Sequence, residues 1–120
     1  MDRATTCCFT GHRPDKLPWG SRESDPRCLT LKRRLTQAVE GAYAQGMRHF
    51  ICGMANGCDL YFFDAARYLR LQHPEVTIEA AIPYSGQADR WRPELRERYA
   101  YDLRQCDYQT LVQEAYTPGC

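Results

Sequence analysis

The stretch that decides the fold is RHFICGMANGCDLYFFDAA, residues 48–66. It opens with a short apolar run, passes through two glycines and continues with apolar side chains spaced as on one face of a helix. A strand that leads through a glycine-containing loop into a helix is the repeating unit of parallel sheets covered by helices. The stretch therefore predicts an α/β fold, and the rest of the chain repeats the same alternation.

Apolar runs bounded by turn residues predict the strands. They are Ala4–Thr10, Arg48–Cys52, Val76–Ile82 and Asp107–Gln113. Helical spacing predicts three helices between them. The first follows the capping pair Asp25-Pro26 and ends at Gly46, the second runs from Cys58 to just before Pro74, and the third carries Trp91, Leu95, Tyr99 and Leu103. This order predicts a mainly parallel sheet of about four strands.

Length and composition limit the classes of protein to consider. A chain of 120 residues predicts one domain over residues 1–120. Hydrophobic residues make up 43% and charged residues 26%, which is typical of a globular protein rather than a disordered or membrane-spanning one. The net charge of +1 disfavours a nucleic-acid partner and gives no attraction to anionic lipid. Because no apolar signal core or bilayer-length stretch is present, we expect a cytoplasmic protein with no membrane partner.

The seven cysteines do not form a disulfide or metal pattern. They are spread over predicted strands and helices, so we expect reduced thiols that serve as small apolar side chains. A zinc site is disfavoured because no paired C-x-x-C and no Cys/His cluster occurs. The sequence predicts no bound metal and no cofactor.

Two loops contain the chemistry that a ligand site would need. One follows the first strand and the other the second, so both emerge at the carboxyl edge of the sheet, where ligands bind near the point at which strand order reverses. Glycines allow close backbone approach to an anion, a helix N-terminus receives it, and an arginine pairs with it. The candidate binding residues are Thr10, Gly11, His12, Arg13, Gly53, Asn56, Gly57 and Asp59.

Each of these features also has a structural interpretation. The spacing of Gly53 and Gly57 is neither a G-x-G-x-x-G nor a Walker pattern, and such a loop is more often a flexible connection than a phosphate cradle. Asp59 either contacts a ligand, as a catalytic carboxylate or a partner of a ribose hydroxyl, or completes a helix cap with Asn56. Trp19 either covers a base or packs its loop onto the sheet. His12 alone is a weak signal.

Three ordered motifs together are more specific than any one of them. They are TGHRP at residues 10–14, GMANGCDLYFFDAA at 53–66 and IPYSGQADRWRPELRERY at 82–99. With them the chain resembles the YpsA-like branch of the SLOG superfamily, which is related to LOG-type phosphoribohydrolases and to the DNA-processing protein DprA. The resemblance covers nearly the whole chain and implies a Rossmann-like three-layer sandwich. The family's third motif falls on Pro83, Gln87 and Trp91.

The resemblance implies a pocket for a nucleotide-derived or phosphoribosyl ligand in a sensor or regulatory role. The alternative is an N-glycosidic hydrolase of nucleoside phosphates, in which Asp59 stabilises positive charge on the sugar. A single-strand nucleic-acid binder and an inactive fragment are further alternatives. Similar proteins continue past VQEAYTPGC, residues 112–120, with a helix, a strand and a glycine-threonine loop. We therefore expect a sheet that is incomplete at its C-terminal end, and self-association through the exposed edge.

Overall fold

The computed structural model describes residues 4–9, 16–20 and 22–113. Its strands are β1 Thr6–Phe9, β2 His49–Cys52, β3 Thr77–Tyr84 and β4 Tyr108–Gln113, and its helices are α1 Pro26–Ala44, α2 Cys58–Gln72 and α3 Pro93–Gln105. Strands and helices alternate along the chain as predicted. The α/β class with a parallel sheet of four strands is confirmed.

The four strands lie in the order β1-β2-β3-β4, and each neighbouring pair is parallel. Phe9 at the end of β1 pairs with Cys52 at the end of β2, and Cys52 pairs with Ala80 of β3. The strand order does not reverse among the described strands, so the reversal point expected beside the site is not found among them. The carboxyl ends of β1 and β2 nevertheless lie side by side, as the two-loop hypothesis requires.

One face of the sheet is packed against the helices. Alternate residues of β2 and β3 are buried, beginning with Phe50 and Ile78, because successive side chains of a strand point to opposite faces. Val39 of α1, Phe63 of α2 and Tyr99 of α3 join the same core cluster. The part of the chain that the structure describes therefore contains the sheet and one helix layer of a Rossmann-like sandwich.

The opposite face of the sheet is partly exposed and carries a polar network. His49 lies between two residues of β3, with Nδ1 2.7 Å from Thr77 Oγ1 and Nε2 2.8 Å from Glu79 Oε1. Thr110 of β4 donates to the other oxygen of Glu79 at 2.8 Å. Hydrogen bonds from His49 and Thr110 lower the pKa of the Glu79 carboxyl. The polar side chains of this face thus satisfy one another across three strands.

The ends of α1 follow the predicted signals. Asp25 accepts a hydrogen bond from the N–H of Arg27 at 2.8 Å, and Pro26 occupies the first helical position. Hydrogen bonds from Arg27 lower the pKa of the Asp25 carboxyl to about 2. After the cap residue Gln45, Gly46 has φ 106°, a left-handed conformation that ends helices.

The third helix begins later than its apolar spacing predicts. Trp91 lies before α3, whose first residue is Pro93. The residue before a proline is pushed out of the helical region, and Arg92 accordingly has φ −58° and ψ 150°. Trp91 still packs edge-on against Tyr99, with ring centroids 5.3 Å apart. Within the described segments, no helix combines the length and apolar character needed to cross a membrane.

The cysteines of the described residues are all free thiols, which confirms that prediction for them. Cys28, Cys52 and Cys58 are buried, whereas Cys8 is exposed. Burial raises the pKa of the Cys52 thiol. Cys120 lies outside the described residues.

Candidate functional site

The loop between β2 and α2, residues 53–57, is here called the glycine loop. Gly57 has φ 94° and ψ −133°, a region of backbone space that is essentially restricted to glycine. Met54 has φ 62°, which is uncommon for a residue with a side chain, and that side chain is completely buried. The loop is therefore held in one conformation by a glycine and by a buried anchor.

Asp59, in the first turn of α2, packs back onto the glycine loop. Its Oδ2 accepts a hydrogen bond from the N–H of Ala55 at 3.3 Å. A Cβ atom added to Gly53 would lie 3.0 Å from the same oxygen, so this carboxylate occupies the space that a larger residue would need. Asn56 Oδ1 accepts from the N–H of Gly57 at 2.9 Å. Both polar side chains thus bind loop amides, but they do not form the predicted helix cap, because the N-cap residue is Gly57 and no side chain caps α2.

The start of α2 is also tied to β2. The N–H groups of Leu60 and Tyr61 donate to the carbonyl of Gly57 at 3.0 and 3.2 Å. The thiol of Cys52 donates to the carbonyl of Asp59, with 3.1 Å between sulfur and oxygen. Hydrogen bonds therefore connect the end of β2, the glycine loop and the start of α2.

Gly53→Ala is expected to lower the free energy of unfolding by about 1 to 3 kcal/mol, because the new methyl group displaces the Asp59 carboxylate. Gly41→Ala is the matched control. Gly41 lies inside α1 with nothing within 4 Å of an added Cβ, so this change should stabilise by about 0.5 to 1 kcal/mol. Urea denaturation of both variants measures the difference. Equal effects would show that the contact with Asp59 does not constrain Gly53.

The third motif reaches the glycine loop through Gln87. This side chain, in the connection between β3 and α3, is only 8% exposed. Its Nε2 donates to the carbonyl of Gly53 at 3.3 Å and lies 3.2 Å from the hydroxyl of Tyr99. Pro83 lies within β3. The sequence motif signalled Gln87, but the contact with Gly53 is made through space and could not be predicted from spacing.

The first loop is only partly described. Thr10, Gly11, His12 and Arg13 lie outside the described residues, so their roles stay predictions. Trp19 is half-buried and packs against a second cluster of buried residues that includes Cys58 and Tyr61. The guanidinium of Arg27 lies 6.0 Å from the centre of its ring. Trp19 therefore has a packing role, but it packs its loop onto α1 and α2 rather than onto the sheet.

Ionic contacts that the sequence analysis did not identify hold the segment before α1. Glu23 accepts from Lys32 of α1 at 2.8 Å and from Arg98 of α3 at 2.9 Å. Arg98 also donates to Asp64 of α2 at 2.8 Å. The ammonium group of Lys32 also lies over the ring of Tyr61, 5.0 Å from its centre. One arginine thus joins α2, α3 and the segment leading to α1.

Asp102 lies buried beneath this ionic cluster, with its side chain only 3% exposed. Its Oδ2 is 3.8 Å from Arg98 Nε, and its Oδ1 is 3.9 Å from Arg67. Burial, together with the nearby charge of Asp64, raises the pKa of the Asp102 carboxyl to about 6. This carboxylate is therefore destabilised at neutral pH.

A metal centre has no ligands in the described ranges, since His, Cys, Asp and Glu side chains there form no group of three or more that is suited to hold an ion. The chemistry of the described site consists of a rigid glycine loop, a helix start and a buried amide.

The comparison with known proteins agrees with the three motifs. The sequence profile described as YspA SLOG family matches residues 7–119. The chain belongs to the YspA SLOG family. The matched range includes the glycine loop, Gln87 and the first-loop candidates Thr10 to Arg13. Membership of the SLOG family agrees with the Rossmann-like fold and indicates a nucleotide-related role.

Relatives in this family come from several Bacillus species. The chain is 26% identical over 109 residues to a UPF0398 protein of Bacillus velezensis, covering 89% of the chain and 59% of that protein. It is 27% identical over 104 residues to a UPF0398 protein of Bacillus anthracis, covering 82% and 53%. It is 23% identical over 105 residues to the UPF0398 protein YpsA of Bacillus subtilis, covering 87% and 57%. The chain thus spans little more than half the length of these relatives.

Proposed function

We propose that this SLOG chain binds a nucleotide-derived or phosphoribosyl ligand at the carboxyl ends of β1 and β2, and that it acts as a sensor or regulator. The observation that carries the proposal is the conformation of Gly57, a backbone geometry restricted to glycine that places a residue without a side chain directly before the first residue of α2. A helix N-terminus with glycine beside it favours a phosphate group, because the helix dipole is positive there and no Cβ blocks close approach.

Arg13 is the proposed charge partner of the phosphate. β1 ends at Phe9, opposite Cys52, so the chain enters the first loop beside the start of the glycine loop. The planar guanidinium fork of arginine matches two phosphate oxygens at once. Gly11 and His12 complete the proposed first-loop contacts, and Thr10 precedes them.

The contacts of Asp59 favour binding over hydrolysis. A hydrolase would use this carboxylate to stabilise positive charge on the sugar. Its Oδ2 instead accepts from Ala55 and packs against Gly53. We therefore assign Asp59 first to shaping the glycine loop, and place N-glycosidic hydrolysis second.

A panel of AMP, GMP, CMP, UMP and ribose 5-phosphate tests the proposal. At least one of them should raise the melting temperature, since a ligand at a hundred times its Kd stabilises by about 2.7 kcal/mol. Chromatography of the same mixtures detects free base. Binding without base release supports the sensor proposal, base release would replace it with the hydrolase, and no binding by any compound would overturn both.

Arg13→Ala is expected to weaken binding of the most stabilising compound by about 1.5 to 3 kcal/mol, the scale for losing a charged hydrogen bond. Arg34→Ala is the control, because Arg34 is exposed on α1. Calorimetric titration compares the two variants with the unaltered chain. If Arg13→Ala binds as tightly as Arg34→Ala, the first loop does not hold the phosphate.

A further inference from the structure

We propose that Gln87 is a positioning residue whose buried amide fixes the glycine loop relative to α3. The proposed ligand would bind to a loop that this amide holds in place, and that part of the inference rests on the proposed function. The positioning itself rests on contacts within the free protein.

The orientation of the Gln87 amide follows from its partners. The carbonyl of Gly53 can only accept a hydrogen bond, so the NH₂ group of Gln87 must face it. The same nitrogen lies 3.2 Å from the hydroxyl of Tyr99. The backbone N–H of Gln87 donates to the carbonyl of Tyr84 at 3.2 Å, a turn that fixes where the side chain starts. The amide therefore bridges two elements from a fixed position.

Gly53, the first residue of the glycine loop, is held from two sides. Gln87 binds its carbonyl, while the Asp59 carboxylate fills the space where a Cβ would lie. Loss of the Gln87 amide would leave the partly buried Gly53 carbonyl without this donor. The glycine loop would then lose one of the contacts that hold its first residue in place.

Tyr99 extends the contact into α3. Its ring packs edge-on against Trp91, and the preceding residue, Arg98, binds Glu23 in the segment before α1. The position of the glycine loop is thus linked through one amide to the helix that holds this segment. A sensor needs such a link between its ligand loop and a neighbouring element.

Hydrogen–deuterium exchange of residues 53–60 in the free protein tests the positioning. Gln87→Leu should raise exchange there by roughly tenfold, as expected for one lost buried hydrogen bond. Gln37→Leu, on the exposed side of α1, is the control and should leave exchange unchanged. A folded Gln87→Leu variant with unchanged exchange would overturn the proposal.

The pH dependence of exchange in Gln87→Glu distinguishes positioning of the glycine loop from a general contribution of residue 87 to packing. The ionised carboxylate repels the Gly53 carbonyl, whereas the protonated form can donate to it. As the pH is lowered from about 8 to about 5, exchange corrected for intrinsic rates should therefore decrease in this variant. The decrease should be larger than in Gln37→Glu or in the unaltered chain. The titratable groups near these contacts are Tyr99, which lies 3.2 Å from Gln87 Nε2, Asp59 beside Gly53, and Tyr84 and Asp89 beside Gly86. The two carboxylates favour the protonated form of the new side chain. A pH response equal to that of Gln37→Glu would overturn the proposal. If Gln87→Leu does not fold, this comparison alone tests the positioning role.

AMP titration separates this inference from the proposed function. If the unaltered chain binds AMP, Gln87→Leu should weaken binding and Gln87→Glu should recover affinity as the pH falls. If no compound of the panel binds but loop exchange responds as described, the proposed function fails while the positioning role stands. If AMP binds equally to all variants and exchange does not respond, the positioning role fails alone.

Discussion

Arg98→Met is expected to lower the free energy of unfolding by about 1 to 3 kcal/mol at neutral pH, between the values for an exposed and a buried ion pair. The arginine side chain is 25% exposed and pairs with both Glu23 and Asp64, so its removal leaves carboxylates close together without their shared cation. Methionine keeps the apolar stem, so the change reports on charge rather than packing. Urea denaturation measures the effect.

The control for this change is Arg96→Met. Arg96 is exposed on the same helix, and its substitution should alter stability by no more than about 0.5 kcal/mol. The loss in Arg98→Met should shrink in mild acid, because protonated carboxyls no longer need the cation. A loss that is equal at both pH values would contradict the electrostatic origin.

Asp102→Asn is expected to stabilise the protein by about 2 to 3 kcal/mol at neutral pH, since each unit of pKa shift corresponds to about 1.4 kcal/mol. The pKa of the Asp102 carboxyl is raised from 3.8 to about 6, first by burial and then by Asp64. Between these values the unfolded chain is ionised while the folded chain is not. The contribution of the Asp102 carboxyl to the free energy of unfolding is therefore fully present below about pH 4. It decreases as the pH rises to about 6.

Thermal unfolding as a function of pH separates the two proteins. The unaltered chain should lose stability from about pH 4 to about pH 6 through this group, and Asp102→Asn should lack that loss. The two should be equally stable near pH 4. If Asp102→Asn is less stable at neutral pH, the carboxylate is a net stabilising partner of Arg67 and Arg98 and its assignment as a destabilising group is wrong.

The features that could be predicted from sequence are those that depend on neighbouring residues. The cap at Asp25 and the helix stop at Gly46 depend on backbone groups within one turn, so their residue types identify them. The start of α3 was missed because four-residue spacing continued through Trp91, although Pro93 carried the correct signal. Packing of Trp91 on Tyr99 explains the misleading spacing.

The candidate site divides in the same way. The sequence by itself determined that a glycine-containing loop joins β2 to α2 at the carboxyl edge, because the strand, the glycines and the helix follow one another along the chain. Only the tertiary structure decided the side-chain contacts of this region. Asp59 accepts a hydrogen bond from Ala55, and Gln87 donates to Gly53. Arg98 pairs with both Glu23 and Asp64. The Gln87 and Arg98 contacts join residues more than thirty positions apart, and they form because helix packing on one face of the sheet brings α2, α3 and the β3–α3 connection together.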